Sequence, residues 1–469
     1  MTQIKAQNLL RRRMRKTKSK KQPTKKPKEP KTETAEEAYE VRDPSTWNKF
    51  PKPTPDEVIR DINMRYGDYG PVVRSANNAW DVSDLRRPSG IPSLDIAAGG
   101  GLIAGKVHQF DGPEGIGKNF LLYKHFAEIQ RRYGDKSCLG MACFESFVDK
   151  QFAQQCGCKI SMSEYDVAVS QRARKRRGEP PLTKEEIKEA ISCEKVGAFH
   201  IFDSDTESVL DGLVKAASTN IYQMIGIDSW DAMITAQEET SDLDEIPQIA
   251  SSSMLQTRWG KKILDSLGPV YRCPKCGHLP VSKKVINSNE GKYHYTCGKC
   301  SDWKGLYPAV EINETTIYCI RQVRAKIRTT GKVMGRPYDA TGARMLNHLY
   351  HIRVSMHPGP FIKMKSDEII GKEINWEIRK AKGGAREKAK GAFNLYFSPL
   401  EADVVTDLID LSRKLGLIEG DGSGHYKVLG KNIHGKGKLI SELENNRELF
   451  DSLLDKAYID SGLAHVRFI

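Results

Sequence analysis

The sequence predicts an α/β fold with a mostly parallel central sheet. Between about residue 82 and residue 396, short apolar runs alternate with stretches of helical spacing, which is typical of parallel sheets covered by helices. The predicted strands are residues 106–110, 139–144, 198–202, 223–228, 315–321, 349–355 and 374–380. One strand leads through a glycine-rich turn into a helix, and two others end at a carboxylate. Together these features predict a ligand site at the carboxyl edge of the sheet.

The glycine-rich turn has the spacing of a phosphate-binding loop. Its residues are Gly112, Pro113, Glu114, Gly115, Ile116, Gly117, Lys118 and Asn119. The glycines let backbone N–H groups surround an anion, the helix start adds free amides, and Lys118 adds a full charge for β- and γ-phosphates. The last position is usually Ser or Thr, whose hydroxyl binds Mg²⁺, and Asn119 offers an amide oxygen instead. The alternative is a glycine-rich turn that binds nothing.

Two predicted strands end at a carboxylate. The strand at 223–228 ends in Asp228, which we expect to hold Mg²⁺ opposite the phosphate-binding loop. The strand at 139–144 is followed by Glu145, a candidate general base for the water that attacks a γ-phosphate. In both cases an acid that only caps the next helix is the alternative.

Positive charge is concentrated at the start of the chain. The 469 residues carry a formal net charge of +14, and residues 1–31 hold thirteen Lys and Arg against the single acid Glu29. The remainder is therefore close to +2, so nucleic-acid binding by the folded part must come from local patches. Residues 1–45 lack apolar side chains for a core, which predicts a disordered basic arm. A nucleic-acid-binding arm, an inert solubilising tail and a targeting segment are all consistent with it.

Four of the ten cysteines form two Cys-x-x-Cys pairs. They are Cys273, Cys276, Cys297 and Cys300. Four thiolates at this spacing predict a tetrahedral Zn²⁺ site, which is closed and therefore structural. The aromatic segment Tyr293–Tyr295 between the pairs suits a small β-ribbon, so we expect a zinc ribbon at residues 271–303.

Six basic residues follow the predicted strand at 315–321 in a stretch that contains several glycines. They are Arg324, Lys326, Arg328, Lys332, Arg336 and Arg344. A flexible basic loop directly after a core strand suits a phosphate backbone, so we expect it to contact DNA. An exposed loop without a partner is the alternative. A second basic cluster lies within residues 171–189, and we interpret it as a solvated charged loop inserted at the surface, with a contact to nucleic acid as the alternative.

Several motifs together resemble RecA-type recombinases, most closely the divergent versions found in bacteriophages. The resemblance runs from about Pro53 to the C-terminus. It is carried by INMRYGDYGPVVR at 62–74, IPSLDIAAGGGLIAGKV at 91–107, the phosphate-binding loop, ESFVD at 145–149, IDS at 227–229, IRQVR at 320–324 and KAK at 380–382. Two features depart from the family pattern: the inserted zinc ribbon, and Arg321 at a position where the family usually has Asn.

The resemblance implies roles for residues around the nucleotide. Glu145 falls on the catalytic glutamate of the family, and Asp228 falls on its strand-end acid. Asp149 falls on an acid at the adenine side, and Phe152 falls on the aromatic residue that stacks on adenine.

The resemblance also implies a link between nucleotide and DNA. Gln322 falls on the glutamine that senses the γ-phosphate and signals to the second DNA-binding loop, here Arg328–Gly342. The first DNA-binding loop is Glu238–Ser253, which is acidic in this chain. Lys380 and Lys382 match the Lys-x-Lys pair that reaches the ATP of the neighbouring subunit.

The motifs divide the chain into four predicted regions. They are a disordered basic arm (1–45), an N-terminal oligomerisation segment (46–81), a RecA-like P-loop ATPase core (82–396, with an insert at 160–197 and the zinc ribbon) and a small α+β C-terminal domain (397–469). In the second region, Thr54 to Glu57 predict a helix start with a capping box, and the helix should stop near Gly67. In the last region, helices are predicted from Val404 and at Leu439–Ala457.

The activity that the resemblance implies is DNA-dependent ATP hydrolysis. The chain would form a helical filament on single-stranded DNA, pair it with a homologous duplex and exchange strands in recombination and repair. The implied cofactors are ATP, Mg²⁺ and Zn²⁺. Two alternatives stay open: a motor that processes branched recombination intermediates, and a nucleotide-held DNA scaffold whose hydrolysis is vestigial.

The expected surroundings of the protein follow from composition and from the resemblance. No apolar run approaches the length that spans a membrane, so we expect a soluble protein without a membrane partner. The resemblance favours a bacterial cytoplasm or that of a phage-infected host. Single-strand-binding and loader proteins are further partners that the sequence leaves open.

Overall fold

The computed structural model describes fifteen stretches of the chain. They are residues 54–66, 85–145, 148–160, 164–192, 197–236, 238, 251–273, 276–278, 281–287, 292–297, 299, 309–325, 338–340, 346–420 and 424–468. The chain divides into two units, residues 1–62 and residues 63–469, and each is described by itself.

The elements are numbered in chain order. The helices are α1 (Pro55–Tyr66), α2 (Pro92–Ala97), α3 (Lys118–Tyr133), α4 (Lys150–Gln155), α5 (Glu164–Arg177), α6 (Lys184–Ser192), α7 (Thr206–Ser218), α8 (Ser251–Ser266), α9 (Leu346–Leu349), α10 (Val404–Lys414), α11 (Lys436–Asn445) and α12 (Arg447–Asp460). The strands up to the sensor motif are β1 (Leu85–Arg87), β2 (Leu102–Ile103), β3 (Val107–Gly112), β4 (Cys138–Cys143), β5 (Ala198–Phe202), β6 (Met224–Asp228), β7 (Val270–Arg272), β8 (Val281–Asn287), β9 (Lys292–Cys297), β10 (Ala309–Glu311) and β11 (Thr316–Ala325). The remaining strands are β12 (Tyr338–Ala340), β13 (Arg353–Lys363), β14 (Ile369–Lys380), β15 (Lys390–Phe397), β16 (Leu400–Ala402), β17 (Ile418–Gly420), β18 (His425–Val428), β19 (Lys431–His434) and β20 (Arg467–Phe468).

A ten-stranded sheet in the order β16-β15-β14-β13-β3-β11-β6-β4-β5, with β12 attached to β11, organises the larger unit. The six strands from β13 to β5 run parallel. This confirms the predicted α/β fold with a mostly parallel sheet. Six of the seven predicted strands are present near their predicted bounds, and the strand predicted at 349–355 begins only at Arg353, because Leu349 ends helix α9. The sheet also has an antiparallel extension, β14 to β16, which the alternating pattern did not predict as antiparallel.

Helix α3 covers the centre of the sheet because its apolar face packs on the strands that surround the glycine-rich turn. Phe120, Leu121 and Phe126 of this helix are fully buried. Beneath them, the rings of Phe110 on β3 and Tyr318 on β11 stack with centroids 4.2 Å apart. The turn between β3 and α3 is therefore anchored at both ends by the core.

Helix α1 confirms the predicted capping box. The Thr54 backbone N–H donates to Glu57 Oε2 at 2.8 Å, and the Glu57 N–H donates to Thr54 Oγ1 at 3.3 Å. These bonds satisfy two amides that a helix start leaves without partners. The helix ends at Tyr66, directly before the predicted stop at Gly67.

The surface insert is helical, so the interpretation of residues 171–189 as a loop is wrong. Helices α5 and α6 flank a short turn, which Gln171 closes by bonding both backbone groups of Leu182. Arg and Lys favour helices intrinsically, but the few apolar residues of α5 form no stripe that would reveal a helix.

The helix predicted at Leu439–Ala457 is two helices, α11 and α12. Asn446 separates them, and its side chain accepts a hydrogen bond from the Leu449 N–H at 3.0 Å. Asn favours helix starts because its oxygen replaces a missing backbone acceptor. Both helices contribute to a separate apolar cluster with α10, around Leu408, Leu439 and Leu453.

Among the described residues, no helix combines the length and apolar character that crossing a lipid bilayer requires.

Candidate functional site

The glycine-rich turn lies at the carboxyl end of β3 and rests on the antiparallel extension. Gly115 and Gly117 adopt positive φ angles of 68° and 104°. A Cβ on Gly117 would lie 3.1 Å from Ile374 Cδ1 and 3.7 Å from Leu395 Cδ2. A larger residue at Gly117 would therefore be strained by the positive φ and would crowd Ile374 of β14.

Lys118, the first residue of α3, is buried beneath this loop. Its Nζ donates to the Gly112 carbonyl at 2.9 Å and to the Pro113 carbonyl at 2.8 Å. Burial lowers the pKa of its ammonium, and the carboxylates of Asp228 and Glu145 act in the opposite direction. The structure thus places the predicted cation inside the predicted anion cradle.

Asp228 and Asn119, the predicted magnesium ligands, lie side by side. Asn119 Nδ2 donates to Asp228 Oδ2 at 2.7 Å. Burial raises the pKa of Asp228 to about 6, assisted by the charge of Glu145 and opposed by Asn119 and Lys118. A buried carboxylate next to an amide group fits a hard divalent cation, which prefers oxygen ligands.

Glu145 and Gln322 are in direct contact at the mouth of the same site. Gln322 Nε2 donates to Glu145 Oε1 at 2.7 Å, and the Ser229 hydroxyl donates to the same oxygen. Glu145 Oε2 accepts no hydrogen bond from a described residue. This arrangement orients the carboxylate and keeps one of its oxygens available.

A second contact fixes the backbone of the sensor strand. The Gln322 N–H donates to Asp231 Oδ2 at 2.7 Å. The buried Arg321 guanidinium lies 3.5 Å from the other oxygen of Asp231. The departure of Arg321 from the family pattern is therefore accommodated by an ion pair with the segment that follows β6.

These groups surround a cavity of about 350 Å³. The predicted residues that line it are Glu114, Gly115, Ile116, Gly117, Lys118, Asn119, Glu145, Phe152, Asp228 and Gln322. The phosphate-binding loop, both strand-end acids and the predicted sensor thus converge on one space, although they come from β3, β4, β6 and β11.

The predicted adenine-side residues lie on α4. Phe152 lines the cavity and packs edge-on against Tyr123, with ring centroids 5.9 Å apart. Asp149 is exposed and caps α4, accepting the Phe152 N–H at 3.0 Å. The cap fixes the start of the helix that presents Phe152.

Lys380 and Lys382 do not line the cavity. Lys380 Nζ donates to the Asn347 carbonyl at 2.6 Å, and Lys382 is exposed. Their expected contact with the nucleotide of another subunit stays a prediction.

The predicted DNA-binding residues fall largely outside the described residues. These are Lys326, Arg328, Lys332, Arg336 and Arg344, and for Arg324 only the backbone, in β11, is described. The strands on either side of residues 326–337 are nevertheless described. They are β11 and β12, which pair with each other at Val323 and Ala340. Residues 326–337 therefore connect two paired strands, and they follow shortly after Gln322, the predicted sensor.

One acid of the first predicted DNA-binding loop has a structural use. Glu238 accepts hydrogen bonds from Ser251 Oγ at 2.6 Å and from the Thr235 N–H at 2.7 Å. The Ser251 bond is the main reason that the pKa of Glu238 is lowered. Glu238 thus ties the two ends of this loop together, and residues 239–250 lie outside the described residues.

Three of the four predicted zinc ligands are clustered. The sulfur atoms of Cys273, Cys276 and Cys297 lie within 4.8 Å of one another. Gly277, at φ 68°, donates its N–H to the Cys273 carbonyl at 2.8 Å and closes the first Cys-x-x-Cys turn. The Lys299 N–H points to Cys297 Sγ at 3.3 Å, as expected for a thiolate acceptor. Cys300 lies outside the described residues, and β8 and β9 form the predicted ribbon.

No family model matches the chain. The RecA protein of Mycoplasmopsis pulmonis is 23% identical over 401 residues, which cover 85% of this chain and 91% of the relative. The RecA protein of Bordetella pertussis is 23% identical over 411 residues (87% and 90%), and that of Oleidesulfovibrio alaskensis is 24% identical over 422 residues (87% and 94%). The chain has a RecA-like fold. The similarity supports a RecA-like family and extends through nearly the whole of each relative.

Sequence reasoning missed three residues of this candidate site. Ser229 and Asp231 hold Glu145 and Gln322, and Lys372 contacts the phosphate-binding loop. Ser229 and Asp231 could have been suspected, because polar residues directly after a strand-end acid lie at the ligand edge of the sheet. Nothing in the sequence around Lys372 distinguishes it from other lysines of the antiparallel extension.

Proposed function

We propose that the chain is an ATP-dependent DNA recombinase that forms filaments on single-stranded DNA and catalyses homologous pairing and strand exchange. One observation carries the proposal. The candidate general base, Glu145, is bonded to Gln322 at the mouth of the phosphate-binding cavity, and β11 continues from Gln322 into the basic segment 326–337. A nucleotide in the cavity and single-stranded DNA on that segment would therefore both contact β11 or the residues that follow it.

Hydrolysis of ATP to ADP and phosphate would use Glu145 as the general base. Its Oε2 would take a proton from the attacking water, whose oxygen forms a bond to the γ-phosphorus while the bond to the bridging oxygen of ADP breaks. Lys118 and the loop amides would stabilise the charge on the phosphates. Mg²⁺, held by Asp228 and Asn119, would neutralise phosphate charge when bound.

Gln322 would couple this chemistry to DNA. In the described state its amide is bonded to Glu145, so a γ-phosphate that attracts the same amide would compete with the carboxylate. The exchange would move the Gln322 side chain and, through β11, the adjoining basic segment. Gln322 and β11 would then form a two-state element that both nucleotide and DNA could bias.

The remaining roles follow the resemblance. Phe152 would stack on adenine, with Asp149 at its side, and Lys380 and Lys382 would reach the ATP of a neighbouring copy. Residues 46–81 would join copies into a filament. The basic arm at 1–45 would add attraction to DNA phosphates. A kinship with divergent bacteriophage members is consistent with the low identity to cellular RecA proteins.

We also propose that Cys273, Cys276, Cys297 and Cys300 hold one structural Zn²⁺. The three described sulfur atoms are already gathered, and a backbone amide points to one of them. The ribbon is attached firmly at its base, where β7 pairs with β10 and Arg272 Nε donates to Glu311 Oε2 at 2.7 Å. A metal would supply the order that this small segment cannot obtain from an apolar core.

The function is tested by measuring ATP hydrolysis with and without single-stranded DNA, followed by joint-molecule formation with a homologous duplex. We expect DNA to stimulate hydrolysis and joint molecules to require both ATP and homology. Hydrolysis that ignores DNA would contradict the proposal. The clustered cysteines slightly favour one competing function, a motor on branched intermediates, because zinc ribbons occur in relatives with that role. The internal position of the ribbon speaks against it, because those relatives carry the ribbon at the N-terminus. Directional unwinding without homologous pairing would select that function.

A further inference from the structure

Lys372 extends from the antiparallel strand β14 to the tip of the phosphate-binding loop. Its Nζ donates to the carbonyl of Gly115, although the two residues are 257 positions apart in sequence. Among the described residues, no carboxylate lies within ion-pair distance of this ammonium, and burial alone lowers its pKa. The ring of Phe397 also lies near the ammonium, with its centroid 6.0 Å away. Lys372 therefore holds a loop carbonyl as its main polar partner.

A contact with a carbonyl determines where the next amide points. In a trans peptide the C=O of one residue and the N–H of the next point in opposite directions. A cation that fixes the Gly115 carbonyl therefore also fixes the direction of the Ile116 N–H. The Ile116 amide makes no hydrogen bond to another described residue, and Ile116 itself lines the cavity. Its N–H is available for an anion.

The loop needs such a restraint at this position. Gly115 is exposed, has φ 68°, and has no atom within 4 Å of the place where a Cβ would lie. Neither packing nor a side chain of its own fixes this peptide plane. Lys118 restrains the beginning of the loop through the Gly112 and Pro113 carbonyls, and it does not reach Gly115.

We propose that Lys372 is a positioning residue for phosphate binding, which fixes the Gly115–Ile116 peptide so that its N–H meets the β- and γ-phosphates of the nucleotide. The inference rests on the proposed nucleotide site and extends it to the antiparallel half of the sheet. Strand β14 also carries Lys380 at its other end. The same strand would then contact the phosphate-binding loop of its own subunit and present Lys380 to the ATP of a neighbouring subunit.

The test compares Lys372→Met and Lys372→Arg with the full-length wild-type chain. Met keeps the length of the side chain and its apolar contact with Phe397 but removes the charge, whereas Arg keeps the charge. Lys363→Met is the matched control, since Lys363 is an exposed lysine of the adjacent strand β13 whose described partner is Asp367, at 3.6 Å. Affinities for a non-hydrolysable ATP analogue, ADP and AMP are measured by calorimetry, and stability is measured by thermal unfolding.

We expect Lys372→Met to bind the ATP analogue and ADP roughly tenfold more weakly, because a charge-assisted contact that orients an amide is lost. AMP, which has no β-phosphate, should bind equally to the wild type and to Lys372→Met. The Lys372→Arg variant should regain most of the affinity for the ATP analogue and ADP. The unfolding temperature of Lys372→Met should equal that of the wild type. The control variant Lys363→Met should bind all three nucleotides with wild-type affinity.

If Lys372→Met bound the ATP analogue as tightly as the wild type does, the inference would be overturned and the proposed function would stay intact. An equal loss for AMP, or a failure of Arg to restore binding, would also overturn it, because the lysine would then act through general packing. A wild-type chain that binds no ATP analogue would overturn the proposed function itself.

Discussion

One oxygen of the Glu145 carboxylate accepts hydrogen bonds from two donors. This leaves the other oxygen available to accept a proton. Ser229 and Gln322 approach Oε1 from β6 and β11, while Oε2 accepts nothing from the described residues. A general base must be oriented before it is useful, and the two bonds provide that orientation. Position at the cavity mouth and the available oxygen together favour catalysis over a role in capping a helix.

Replacing Glu145 with Gln should abolish turnover while nucleotide binding persists. The amide keeps the shape and can still accept a hydrogen bond, but it cannot take a proton from water, so we expect a loss of roughly 10²–10⁴-fold in phosphate release. Phosphate release and ATP-analogue affinity are measured in parallel. Glu185→Gln, an exposed acid of α6, is the control. A Glu145→Gln variant that hydrolyses ATP at the wild-type rate would remove Glu145 from the mechanism.

The sequence predicted most members of the site but not their contacts. The phosphate-binding loop is local, so its glycines and Lys118 can be recognised from spacing. The bond between Gln322 and Glu145 joins residues 177 positions apart, and Lys372 is still farther from Gly115. Contacts of this kind depend on strand order, which a hydrophobic pattern does not determine.

Among the elements, β11 has the central position for communication. It is paired with β3 and β6 on either side, so it touches the strands that carry the phosphate-binding loop and Asp228. Its residues 317–320 are fully buried, and its far end pairs with β12. A strand fixed in the core at one end and joined to a basic segment at the other can transmit a change at Gln322.

Replacing Gln322 with Ala should uncouple hydrolysis from DNA. Without the amide, neither the bond to Glu145 nor one to a γ-phosphate can form, so we expect the ratio of hydrolysis with DNA to hydrolysis without DNA to fall towards one. The measurement is steady-state phosphate release at saturating ATP. Gln154→Ala, at an exposed position of α4, should keep the wild-type ratio. An undiminished ratio in Gln322→Ala would show that the signal takes another route.

The cysteine ribbon should contain one zinc per chain. Purified protein is analysed for metal content after gel filtration, and Cys297→Ser should lose the metal because three thiolates with one hydroxyl form a poor tetrahedral site. Cys138→Ala, which removes a buried cysteine of β4, should retain it. Stoichiometric zinc in Cys297→Ser, or none in the wild type, would contradict the site.

Elements with a clear apolar period were predictable, and those stabilised in other ways were not. Helix α5 lacks an apolar stripe, so it was taken for a loop. Helices α11 and α12 share one apolar period, and only the Asn446 cap separates them. The antiparallel run from β14 to β16 was not predicted, because strand direction follows from the connections between strands and only residues 374–380 of the run were recognised as a strand.

At the scale of the whole molecule, the core contains buried histidines that stay neutral. His125 of α3 lies edge-on against the stacked rings of Phe110 and Tyr318, with centroids 6.0 Å and 5.5 Å away. Burial lowers its pKa to about 4. An unfolded chain has an ordinary histidine at this position and binds a proton near pH 6.5. The contribution of His125 to stability is therefore complete above pH 6.5 and is lost as the pH falls towards 4.

Replacing His125 with Leu should make stability less sensitive to acid. Between pH 7.5 and pH 5.0 the wild type should lose about 2 kcal/mol more free energy of unfolding than the variant, since the variant has no proton to bind here. Urea unfolding at both pH values measures the difference. His465→Leu, at an exposed histidine, should retain the wild-type response. Equal losses in wild type and His125→Leu would show that His125 does not contribute to the acid sensitivity.

The central claim is that a nucleotide in the cavity decides whether the chain holds a DNA strand. Electron microscopy of the protein with single-stranded DNA and a non-hydrolysable ATP analogue tests it most directly, with Lys118→Ala as the comparison. We predict helical filaments for the wild type only when the analogue is present, and none for Lys118→Ala. Isolated monomers on the DNA at saturating analogue would contradict this role of the nucleotide. Filaments that form equally well with Lys118→Ala would contradict it as well.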